Sequence, residues 1–278
     1  MNKLLYIIVL LNINLIYSLQ SSISFLTLEQ FKHRNRNNKV ITLSPAGLAG
    51  FYLLGIVKYI KENYDISEYT ILGASAGAWC SIPMVYKDNI TDITENLINN
   101  YCIIQNYNPD DNIDDIFNNN DYYVDEGCNI KSIYQLQCNI KSILLDNYSK
   151  KNFNLNKLNI ATTIFTKSGF KQIIISDIKS LDQVTDSCFA SSHIPFITGK
   201  GLLKVHDKVF FDGGFKLFPP AIINPYFEIK HTMWGFNMRD ILNIKKYNDP
   251  SNVESLLIKG FEDSKTNKHI LNKYFKQL

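Results

Sequence analysis

The sequence predicts an α/β fold: a mainly parallel central sheet with helices on both faces. Three observations carry this prediction. Two short apolar runs, residues 40–43 and 68–72, each end in a glycine-bearing turn. Each turn opens a stretch whose apolar or small residues recur with helical spacing. The resulting order (strand, turn, helix, strand, turn, helix) implies parallel strands joined by right-handed crossovers. The chain has 278 residues, 45% hydrophobic and 13% aromatic, enough for a sizeable core in one large domain.

Residues 1–20 read as a secretory leader. Lys3 supplies a positive start, and residues 4–16 are apolar apart from Asn12 and Asn14. The run is shorter than the roughly 20 apolar residues a membrane span needs. The expectation is a secreted or endomembrane-lumen protein whose single domain covers residues 21–278; the alternative is an anchor left uncleaved. Asn89-Ile90-Thr91 and Asn147-Tyr148-Ser149 are glycosylation sequons that fit that route.

Residues 21–38 are polar and basic and read as a helical or irregular lead-in with a solvated face. Val40-Ile41-Thr42-Leu43 is β-branched and reads as the first core strand. Pro45 and Gly47 stop it. Leu48, Phe51, Tyr52, Gly55, Ile56 and Tyr59 then lie three and four residues apart, the pattern of a helix with one packed face. Residues 68–72 read as the second strand, ending at Gly73-Ala74-Ser75-Ala76-Gly77.

That pentapeptide is G-x-S-x-G between strand and helix, the pattern of a nucleophile elbow. Gly73 and Gly77 leave room for the sharp turn. The following helix aims its N–H groups and positive end at developing negative charge. In parallel sheets, sites form at the carboxyl ends of strands, where both glycine turns lie.

Residues 88–147 read as mostly helical with Asn-rich breaks, with a loop tip at Asn118-Asn119-Asn120-Asp121. Asp110, Asp111, Asp114 and Asp115 match no calcium loop and read as a solvated turn. Residues 158–164 and 171–176 read as a hairpin about Lys167-Ser168-Gly169. The small residues 187–192, before Pro195, suggest a helix tip docked near the elbow. Residues 205–211 read as a strand ending in Asp212-Gly213-Gly214, where the aspartate is either a turn former or a functional carboxylate. Residues 229–236 read as a strand, and 251–275 as closing helices.

The formal charge of +3 is slight, and no basic patch interleaved with aromatics appears, so nucleic acid is not an expected partner. The five cysteines form no C-x-x-C pair, which argues against zinc. Cys128 and Cys138 are candidates for a bridge in an oxidising compartment.

Four pieces in order give the chain a resemblance to the patatin-like phospholipase family. They are the turn at residues 44–50, the elbow about Ser75, Ala190-Ser191-Ser192-His193-Ile194-Pro195-Phe196 (similar to the family's A-S-x-x-x-P-F), and Asp212-Gly213-Gly214. The resemblance spans residues 39–236. It implies the family's three-layer architecture and a Ser–Asp dyad, with Ser75 as nucleophile and Asp212 as base. It also implies an oxyanion hole from the N–H groups of Gly47 and Leu48. Neither metal nor organic cofactor is implied, and the expected partner is lipid at a membrane or droplet surface. The activity implied is lipid acyl-ester hydrolysis, of phospholipase A or lysophospholipase type. The turn departs from the family's G-G-G-x-R/K-G: two glycines and the basic residue are missing, and Pro45 has no N–H to donate.

An ordinary carboxylate, with a pKa of about 3.9, is a weak base for a serine hydroxyl; burial would raise it. Phe210, Phe211 and Phe215 are candidates for the apolar setting. Leu48, Phe51, Trp79 and Phe215 are candidates for acyl contacts. The rival mechanism is a Ser–His–Asp triad, for which only His231 and His269 follow Asp212 in the required order. The rival functions are a catalytically silent lipid-binding or storage protein and a lipid transacylase.

Overall fold

The computed structural model describes residues 13–15, 23–100, 104–105, 122–123, 133–199, 201–205, 208–215, 224–236 and 250–278. Strands β1 (Ile13–Leu15) and β2 (Ser24–Thr27) and helix α1 (Leu28–Arg34) come first. Next are β3 (Val40–Leu43), a 3₁₀ turn (Gly47–Ala49) and α2 (Gly50–Asn63). β4 (Tyr64–Asp65), β5 (Thr70–Ala74), α3 (Ala76–Met84) and α4 (Ile90–Asn100) follow. A small ladder, β6 (Ile104–Gln105) with β7 (Tyr122–Tyr123), precedes α5 (Ile133–Asn147). The hairpin β8 (Leu158–Thr166) and β9 (Gly169–Ser176) leads to α6 (Leu181–Ser191), β10 (Leu202–Val205), β11 (Lys208–Phe211) and β12 (Phe227–Ile229). Helices α7 (Pro250–Thr266) and α8 (Lys268–Leu271) and strand β13 (Lys276–Gln277) close the chain.

The central sheet has nine strands in the order β1-β10-β11-β8-β5-β3-β12, with β9 on β8 and β2 on β9. Its core, β8-β5-β3-β12, is parallel throughout. The β8–β9, β9–β2, β8–β11 and β10–β11 pairs are antiparallel, so the whole is mixed. The parallel strands are buried on both faces, which is why their apolar runs are nearly continuous rather than alternating.

The two faces are covered unequally among the described residues. Ile41, Leu43, Ile71 and Ile160 join the large core beneath the main helices. Val40, Leu72, Ala74, Ala161 and Ile174 face the other way, onto Phe31 of the short α1. On the crowded face, α7 crosses α2 at two glycines. A Cβ on Gly55 would lie 2.0 Å from the Leu257 carbonyl oxygen, and one on Gly260 would lie 2.0 Å from that of Tyr52. Only glycine permits so close an approach of two backbones.

Several expectations need correction. The lead-in contains strand β2, and α1 carries a Thr27–Gln30 capping box. Its basic face is not merely solvated: Arg34 grips the Asp177 carboxylate with both terminal guanidinium nitrogens. The second core strand starts at Thr70, because a turn closed by Tyr69 N–H to the Ile66 carbonyl occupies the residues before it. Of the strand expected at 205–211, Val205 ends β10 and Lys208–Phe211 is the return arm β11, antiparallel to it; residues 206–207 lie outside the described residues. The strand expected at 229–236 is Phe227–Ile229 instead. Beyond it the chain turns, with Met233 N–H on the Lys230 carbonyl and Gly235 at φ +83°, a conformation a strand cannot hold. Cys138 is a free buried thiol, and Cys128, the partner expected for it, lies outside the described residues. The loop tip at 118–121 and the acidic cluster at 110–115 lie outside the described residues. β1 falls within residues 1–20, the stretch read as a leader, and pairs in parallel with β10. Both sequon asparagines, Asn89 and Asn147, are exposed. No described helix is long and apolar enough to cross a membrane.

Candidate active site

The site is set by how strands share one edge of β8. β9 occupies the far edge, from Ile160 to Thr166. On the near edge β5 runs parallel as far as Ala74 opposite Ala161, while β11 runs antiparallel and ends with Phe211 opposite Thr163. The two strands therefore meet end to end, with only Thr162 of β8 between them. Ser75 and Asp212 are the residues immediately beyond those ends, so the register alone brings them together. The Thr162 hydroxyl holds the junction, 3.0 Å from the Phe211 carbonyl oxygen and 2.9 Å from that of Ala190.

Ser75 adopts φ 55°, ψ −128°, a region costly for any residue with a Cβ. Its neighbours over-determine it. A Cβ on Gly73 would lie 2.5 Å from the Gly77 carbonyl oxygen, and one on Gly77 would lie 2.3 Å from that of Leu43. The Ser75 N–H donates to Ser191 Oγ at 2.8 Å, and that hydroxyl donates to the Ala161 carbonyl at 2.6 Å. Ser191 thus ties the elbow to β8.

Asp212 is held with equal economy. Its N–H donates to the His193 carbonyl at 2.8 Å, and the Gly213 N–H donates to the Ser191 carbonyl at 2.7 Å. The Gly214 N–H donates to Asp212 Oδ1 at 2.7 Å, an Asx turn. The aspartate is therefore a turn former whose carboxylate also feels the Ser75 side chain, which favours its charged form. Gly213 is needed because a Cβ there would lie 2.4 Å from the Ala161 carbonyl oxygen. Ser75 and Asp212 are both buried, each 8% exposed. Burial raises the Asp212 pKa above the ordinary aspartate value, against the opposing pull of the Ser75 and Gly214 hydrogen bonds.

The pair opens on a cavity of about 170 Å³. Leu54, Leu97, Ile133, Leu136 and Ile140 give it apolar walls. A dry, apolar cavity of roughly 150 Å³ admits a group the size of benzene. Of the expected acyl contacts, Leu48, Phe51 and Trp79 line it, whereas Phe215 is not among its walls and is 56% exposed. Phe210 is buried in the main core, and Phe211 meets Phe170 edge to face and Phe215 at a tilt.

Gly47 and Leu48 also line the cavity, at the start of the 3₁₀ turn that leads into α2. Gly47 sits at φ +52°, where glycine is favoured. Among the described residues, neither N–H makes a backbone hydrogen bond, as expected for the first donors of a helical turn. Pro45, the departure from the family turn, is seated against Gly214: a Cβ there would lie 2.7 Å from Pro45 Cγ. Sequence reasoning missed Ala76. It is the first residue of α3, it lines the cavity, and its N–H is the donor that follows a nucleophile in an elbow. Ser191 was also missed as a clamp, although it lies in a quoted motif. Ser192 was missed as part of the floor, where it accepts from Trp79 Nε1 at 3.1 Å and Gln137 Nε2 at 2.9 Å.

No histidine is among the cavity's described lining residues. His193 is buried, with its Nε2 bonded to the Gly201 carbonyl at 2.7 Å, and burial lowers its pKa. His231 lies in the turn beyond β12, and His269 in α8. Cys80, also on the wall, is no rival nucleophile, since burial pushes its thiol up to about 12. No cluster of metal-ligating side chains occurs among the described residues. No family model matches the chain, and no curated protein matches it.

Proposed function

We propose that this protein is a serine-dependent lipid acyl-ester hydrolase of phospholipase A or lysophospholipase type, releasing free fatty acid. The observation that carries the reading is Ser75, a non-glycine residue held at φ 55° beside a buried aspartate at the mouth of an apolar cavity. The four ordered motifs shared with patatin-like phospholipases support the same reading.

The chemistry follows from the arrangement. An acyl chain enters the cavity, and the ester carbonyl meets Ser75. As Ser75 Oγ attacks the carbonyl carbon, Asp212 accepts the hydroxyl proton. The oxyanion forms near the Gly47, Leu48 and Ala76 N–H groups, at the converging N-terminal ends of α2 and α3. The tetrahedral intermediate expels the alcohol, which takes the proton from Asp212 and leaves an acyl-serine. Water then attacks the acyl carbon and gives a proton to Asp212. Collapse frees the fatty acid, and the proton returns to Ser75. The cycle calls on neither metal nor cofactor. Its substrate resides in membranes or droplets, and the leader would deliver the enzyme to the secretory route.

The test is labelling by a fluorophosphonate serine probe, beside a folded Ser75→Ala control. Labelling lost in the control is the expected result. A folded wild-type chain that does not label would move the reading to a catalytically silent lipid-binding protein, the alternative favoured by the Pro45-Ala46 departure.

A further inference from the structure

The cavity mouth carries a feature that the dyad does not use. Three of the nine exposed large hydrophobic side chains described, Ile194, Phe196 and Ile197, lie within four residues of one another on the loop after α6. That concentration is the mark of a recognition surface rather than of scattered exposure. Phe196 is 71% exposed and Ile197 is 63% exposed.

Phe196 stands at φ +66°, an outlier for so bulky a residue. The loop is built to hold it there. The Phe196 N–H donates to the Gly199 carbonyl at 2.8 Å, and the Ile197 N–H to the Ile194 carbonyl at 3.0 Å. Thr198 Oγ1 accepts from the Ile194 N–H at 2.7 Å and donates to the Ser192 carbonyl at 2.8 Å. Beneath it, Gly199 lies against the His193 ring. Ile194 and Ile197 also line the cavity, so its apolar wall continues outward without a break. From Phe189 to Gly199 the chain has no Asp, Glu, Lys or Arg, and burial favours neutral His193.

We propose that the 194–198 loop is an interfacial wedge: Phe196 inserts among the acyl chains of a lipid surface and seats the cavity mouth on it. The proposal rests on the lipid-ester reading above. Its physical basis is an apolar tip, uncharged, rigid and continuous with the cavity, which gains by leaving water.

The test uses the full chain bearing Phe196→Trp, with phosphatidylcholine vesicles whose acyl chains carry bromine. The expected result is quenching of the new tryptophan beyond that of the parent chain's two. Phe196→Asn, which tolerates the left-handed backbone, is expected to weaken vesicle partitioning about tenfold. It should leave hydrolysis of a short, water-soluble ester unchanged. An unquenched Trp at 196 on vesicle-bound protein would overturn the wedge. So would Phe196→Asn partitioning as the parent does, or a dimer in solution that this variant dissolves. Quenching without hydrolysis of any ester would keep the wedge and remove the hydrolase reading; hydrolysis of the soluble ester without quenching would do the reverse.

Discussion

Ser75 and Phe196 share a positive φ that neither residue type favours, yet their surroundings are opposite. Ser75, at φ 55°, is 8% exposed, and Phe196, at φ +66°, is 71% exposed. Among the described residues, the other two non-glycine residues with positive φ are Asp177 and Asn224, of the types that tolerate it. At the elbow the strain aims a hydroxyl inward at a carboxylate. At the loop it aims a ring outward. The contrast teaches that strain here serves direction: each loop holds one side chain where relaxed backbone would not point it, the Phe196 loop by hydrogen bonds within a few residues and the elbow by Ser191 from a distant part of the chain.

The sharpest way to break the comparison is to remove the inward group. Ser75→Ala should cut ester hydrolysis by about 10⁴- to 10⁶-fold, measured on a soluble ester, while circular dichroism shows the fold retained. Asp212→Asn should cost about 10⁴-fold in the same assay, because the amide can still accept from Gly214 N–H but cannot take the serine proton; near-normal hydrolysis would refute Asp212 as base. Ser191→Ala should lower stability by about 1–3 kcal/mol, read by denaturant unfolding, since the buried Ser75 N–H loses its acceptor.

The pH dependence follows from sign. Asp212 must be ionised to accept a proton, and burial raises its pKa. Activity should therefore fall as pH drops through a value above the ordinary 3.9 or so of aspartate, a limb visible in kcat/KM against pH. The smallest effect should sharpen the comparison most. Phe196→Gly relieves the backbone and should raise stability by up to about 1 kcal/mol, seen as a higher Tm, with soluble-ester hydrolysis intact.

Much of this was legible in residue order. The strand at 40–43, the elbow and the 158–176 hairpin follow from β-branched runs cut by glycine, which are local signals. Ser75, Asp212 and the flanking glycines are where the motifs put them. What the sequence hid was long-range. Nothing local says that β5 and β11 share one edge of β8, or that Ser191 bridges the elbow to that strand. Residues 230–236 misled because their β-rich composition outweighed the one glycine that turns the chain. Strand β2 was hidden because its four residues carry no alternating pattern, and pairing with β9 supplies what propensity does not.

The end-to-end meeting of β5 and β11 on β8 also governs when the site comes into being. Ser75 and Asp212 arrive on segments far apart in the chain, and each reaches its place only by the pairing of its strand with β8. Such non-local pairings are slow and late during folding. No partly folded species with only one of them docked has both halves of the dyad. Recovery of ester hydrolysis on refolding should therefore lag behind the return of helical signal, and catalysis itself becomes a clock for closure of the sheet.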